Sequence, residues 1–126
     1  MIKFNDVILN SEVDLNGNQL SSNALRQVAK QLKGKLIGFE FNPSIPPTFG
    51  KVNKGIFKQG KVFAEAEVDK PSQEVRMYIV PSFIVKKFHK EGAINVLDDV
   101  DLLEMSLTTQ PADKHLTPIN WNEDLV

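Results

Sequence analysis

Apolar and polar positions alternate most cleanly over residues 61–68. There Val62, Ala64, Ala66 and Val68 interleave with Phe63, Glu65 and Glu67. A period of two predicts a strand with one face against a core and the other wet. Residues 49–57 read as a second strand, joined to it by a tight Lys58-Gln59-Gly60 turn. Residues 2–9 and 36–41 are rich in β-branched and aromatic residues and predict two more strands. Between them the period changes. Leu25, Val28, Ala29 and Leu32 recur at helical spacing, with Ser21 or Ser22 able to cap the start and Gly34 just past the end.

The remaining segments are punctuated by turn formers. Residues 10–19 hold Asn and Asp around Gly17 and read as a connection. Three prolines within residues 42–47 exclude regular structure there. Residues 69–73 form another turn. Residues 75–88 carry Tyr78, Ile79, Val80, Phe83, Ile84 and Val85, which favour a strand broken or bulged at Pro81, although Pro-Ser could also open a short helix. Lys90-Glu91-Gly92 turns the chain into a last long strand over residues 96–109. Short turns between strands favour antiparallel pairing. The expected fold is mainly β with one or two helices, a β-barrel or bent antiparallel sheet. One domain is expected over residues 1–126, with a core spanning about 2–116 and an extended tail over about 117–126, anchored by Trp121.

Composition narrows the chemistry. With 15 basic and 16 acidic residues the net charge is −1, so no global field favours nucleic acid or an anionic membrane. The cations are almost all Lys, with only Arg26 and Arg76, which weakens any bidentate phosphate clamp. No Cys is present, which excludes a disulfide scaffold, a Cys-ligated zinc and a cysteine nucleophile. The apolar stretch over residues 77–85 is too short to span a bilayer, and the first ten residues meet Asn and Asp too early for a signal peptide. An intracellular protein is expected, or one made in a cell and packed into a particle.

Candidate reactive groups are few. His89 and His115 each neighbour Lys in polar segments, lack a paired metal spacing and read first as surface histidines. Asp98, Asp99, Asp101 and Glu104 do not follow a calcium-loop pattern and read as a solvated acidic edge. Gly50-Lys51 lacks the rest of a phosphate loop. Ser82 and Ser106 are the candidate nucleophiles, and neither sits in a G-x-S-x-G elbow. No cofactor and no metal are expected.

Three segments, in order, carry a resemblance: FEFNPSIPPTFGKV from Phe39, MYIVPSFIV from Met77 and DLLEMSLTTQPA from Asp101, with the small-residue strand at 62–68 between the first two. Together they resemble the phage prohead (capsid maturation) proteases, whose fold is shared with the herpesvirus assembly proteases. The resemblance covers roughly residues 35–120, and its closing L-x-E-x-S-L-x-x-x-P-A motif is the most specific part. It implies Ser82 at the nucleophile position and Glu104 at the acidic, orienting position. Asn42 stands where the family pattern has its catalytic His, and an amide has no basic nitrogen with which to accept a serine proton.

The resemblance therefore implies a phage or prophage head-assembly protein with a prohead-protease-like fold that is catalytically inactive and serves as a structural or capsid-associated component. Its implied partners are phage structural proteins (major capsid, scaffold or portal-proximal) or a second copy of itself, met in the host cytoplasm during assembly and possibly within the virion. Two alternatives stay open. One is an active serine peptidase cleaving scaffold or capsid protein, with His89 or His115 swung in as base. The other is an unrelated small β-barrel binding module.

Overall fold

The computed structural model describes residues 2–70, 75–113 and 116–121. Within them the order is β1 (Ile2–Asn10), β2 (Asn18–Leu20), α1 (Ser22–Gln31), β3 (Leu36–Phe39), β4 (Gly50–Lys58), β5 (Lys61–Val68), β6 (Tyr78–Glu91) and β7 (Ile94–Thr108). The protein is mainly β with one helix, and its mixed sheet curls into a half-barrel. Antiparallel ladders join β1 to β5, β5 to β4, β4 to β3 and β6 to β7. The departures from an antiparallel sheet are two short parallel pairings, β2 and β3 on β7.

The strand β7 organises the sheet. One edge carries β6 from Tyr78 to Glu91. The other carries β2 opposite Asn95, Val96 and Leu97, then β3 opposite Met105, Ser106 and Leu107. The gap between β2 and β3 is filled by α1. Val100 and Leu102 donate their backbone amides to the side chains of Gln27 (2.8 Å) and Gln31 (2.7 Å), and the Asp98 carbonyl accepts from Asn23 Nδ2 at 2.9 Å. Asn23, Gln27 and Gln31 are four residues apart, so one stripe of amides on the helix replaces the missing strand.

The opposite side of α1 is apolar. Ser21 caps it by accepting from the Ala24 amide at 3.1 Å, and Ala24, Leu25, Val28 and Ala29 are buried. They meet Val52 of β4, the alternating Val62, Ala64, Ala66 and Val68 of β5, and Val100 and Leu102 of β7 in one core. Gly55 is required by this packing: a Cβ there would lie 2.6 Å from the Ala29 carbonyl and 2.7 Å from Leu32 Cδ1.

Three expectations need adjustment. The connection over residues 10–19 ends in β2, whose Asn-Gln-Leu sequence has no strand signal and pairs only because β7 offers an edge. The third strand stops at Phe39, because Glu40 and Phe41 adopt φ of 50° and 52°, which a strand cannot continue. The packed chain also passes residue 116. Ile119 and Trp121 belong to the core, with the Ile119 amide donating to Met77 O (2.9 Å) and the Trp121 indole to Val75 O (2.7 Å). Pro81 remains inside β6, which pairs on one side only, and the register shifts between Ser82 and Phe83. No helix among the described residues is long and apolar enough to cross a membrane.

Candidate functional site at the barrel seam

The sheet does not close. β1 approaches β6, yet among the described residues β1 pairs only with β5 and β6 only with β7, and no ladder joins the two edges. At this seam lies a cavity of about 240 Å³. Its walls draw on Leu9 of β1, Leu20 of β2, Val80 and Phe83 of β6, Phe41, and Pro111 beyond β7. Each of the three segments singled out in the sequence contributes a wall: Phe41 from the first, Val80, Pro81 and Phe83 from the second, Thr108 and Gln110 to Ala112 from the third. Glu12, Asp14 and Asp113 add carboxylates, and Asn10, Asn18, Thr108 and Gln110 neutral polar groups, to a mainly apolar lining.

Side-chain bonds tie the first segment to the third. The Phe41 amide donates to Ser106 Oγ at 3.0 Å, and that hydroxyl donates to Leu107 O at 3.3 Å. The Glu40 carboxylate accepts from the Thr109 amide at 2.8 Å and from Thr108 Oγ1 at 3.3 Å. These bonds hold the two consecutive left-handed residues in place, a conformation that persists only where its surroundings impose it. Ser106 is therefore a buried structural hydroxyl.

Ser82 and Glu104 are brought together at the backbone, as register partners across β6 and β7. Their side chains are not coupled. Ser82 Oγ is buried with no hydrogen-bond partner, and Glu104 is exposed. A nucleophilic serine needs a base within hydrogen-bond reach and a third group that orients the base. Asn42 supplies neither, because its Oδ1 accepts the Ser44 backbone amide at 2.9 Å and its backbone amide donates to Phe39 O at 3.0 Å. The residue at the expected base position is a turn former.

His89 is engaged elsewhere. It lies within β6 rather than in the following turn, with Nδ1 2.6 Å from Asp98 Oδ2 and Nε2 3.9 Å from Glu91. Seven residues of extended chain separate it from Ser82, roughly 20 Å. The hydrogen bond to Asp98 raises its pKa above the ordinary value, with the negative charges of Asp98 and Glu91 adding to the shift. His115 lies outside the described residues. Three acidic residues of β7 are individually employed: Asp98 holds His89, Asp99 accepts from Gln27 Nε2, and Asp101 pairs with Lys86 at 3.1 Å. No group of three or more His, Asp or Glu able to hold a metal ion occurs among the described residues.

No protein-family model, curated protein or solved structure matches the chain. The functional reading thus rests on the residues and their geometry. Sequence reasoning missed two parts of it, the Glu40 clamp on Thr108 and Thr109 and the unclosed seam. Glu40 lies within the FEFNPSIPPTFGKV segment, but only the left-handed turn aims its carboxylate at the closing segment.

Proposed function

We propose that this chain is a catalytically inactive protein of the prohead-protease type, serving as a structural or capsid-associated component of a phage or prophage head. The observation that carries the inactive reading is Ser82: its hydroxyl is buried, makes no hydrogen bond, and has no imidazole near it among the described residues. Asn42 adds to this, since its side chain is committed to its own turn. The head-assembly part rests on the order of the three resembling segments, and their meeting around one cavity supports treating them as a unit.

In this reading the seam is a binding surface. Partner recognition at unpaired strand edges relies on main-chain groups and a few apolar anchors, so it demands no reactive constellation. Fractionation of cells assembling heads that contain this protein tests the role. The protein should co-sediment with the major capsid protein at the prohead or mature-head stage. Its presence only at the top of the gradient, at every stage, would contradict the proposal.

A further inference from the structure

The seam and the outer half of β6 are complementary surfaces of one chain. From Ile84 to Glu91 every residue of β6 is exposed, including three large apolar side chains: Ile84 (55%), Val85 (40%) and Phe88 (58%). Lys87 and Lys90 lie among them, while Lys86 is held by Asp101 of its own chain. Among the described residues, no strand pairs with the edge of β6 away from β7 along this arm. The cavity offers the converse, a mainly apolar pocket the size of one large side chain, with Glu12 and Asp14 in its lining. Phe88 is five residues beyond Phe83, roughly 16 Å along a strand already held by β7, so the arm cannot fold back onto its own seam.

We infer that the β6 arm of one copy docks in the β1–β6 seam of the next, with Phe88 in the cavity and the arm lysines on the carboxylates. Pairing of two whole arms about a two-fold axis is disfavoured, since it sets Ile84 against Glu91 and Val85 against Lys90, an apolar side chain against a charge. Register shifts at Val85/Lys87 and Lys87/Phe88 also interrupt the arm, so it offers side chains rather than a regular ladder. Arm and seam occupy different stretches of β6. The contact is therefore heterologous, and repetition builds a ring or an open chain rather than a closed dimer.

Sedimentation velocity across a range of protein concentrations tests this on the full chain. The wild type should grow beyond a dimer as concentration rises. Phe88→Glu removes the arm's anchor, and Ala112→Trp fills the cavity from its wall. Each variant alone should weaken association at least tenfold while keeping the wild-type circular dichroism spectrum. An equimolar mixture of the two retains one intact arm and one intact seam, so it should form a 1:1 dimer and stop there. A monomeric wild type at high concentration would overturn the inference, as would undiminished association of folded Phe88→Glu. Two folded variants whose mixture stays monomeric would also overturn it. None of these results bears on whether Ser82 is reactive or whether the protein enters heads.

Discussion

The backbone amide of Phe41 donates to Ser106 Oγ at 3.0 Å, joining the Pro-rich turn to the closing segment of β7. Ser106 and Ser82 were both candidate nucleophiles, and their environments are opposite. One hydroxyl is fully employed, the other is buried without a partner. Removing a partner from a buried amide costs about 1–3 kcal/mol, whereas removing an unsatisfied hydroxyl costs little or stabilises. Ser106→Ala should therefore lower the melting temperature by several degrees, and Ser82→Ala should leave it unchanged or raise it. Thermal denaturation of the two variants side by side checks this, and equal losses would contradict the assignment.

The amide stripe on α1 makes a second claim. Gln27 and Gln31 accept the Val100 and Leu102 amides where β7 has no strand on the side away from β6. Replacing either with Leu keeps the bulk and the helix propensity but orphans a backbone donor. Each substitution should cost about 1–3 kcal/mol in urea unfolding. Faster hydrogen exchange at the corresponding β7 amide should accompany it.

Packing beneath α1 supplies a third. Gly55 lies against the Ala29 carbonyl and Leu32, so any side chain there must displace the helix end. Gly55→Val should destabilise by about 1–3 kcal/mol despite the higher strand propensity of Val. An unchanged unfolding midpoint would mean that the helix does not press on this strand.

The His89–Asp98 pair makes stability depend on pH. The His89 pKa is raised in the folded state, chiefly by the hydrogen bond to Asp98. Its contribution is complete below the unfolded value of about 6.5 and disappears as pH rises through the folded value. Titration of the imidazole by NMR should show the raised pKa, and Asp98→Asn should return it toward the ordinary value. The variant should also lose the part of the pH dependence that lies above about 6.5.

Much of the fold was legible because local pattern and tertiary environment agreed. The alternation from Val62 to Val68 is the buried face of β5, and Leu25, Val28, Ala29 and Leu32 are the buried face of α1. The illegible parts depend on distant chain. β2 exists only because β7 has an open edge, and Asn23, Gln27 and Gln31 look like solvent-facing helix residues until that edge is known. At the site, Ser82 and Glu104 could be named from the motif order. Their register opposition across β6 and β7, and the lack of a bond between them, required the paired strands. The seam follows from incomplete curling of the sheet, which no local pattern encodes.

Ser82, proposed above as a lost nucleophile position, has no imidazole near it among the described residues. Intact-mass spectrometry after incubation with a serine-reactive fluorophosphonate, beside an active serine peptidase as control, tests it most directly. The expected result is an unmodified chain while the control is fully labelled. A stoichiometric adduct that maps to Ser82 and is lost in Ser82→Ala would contradict the account.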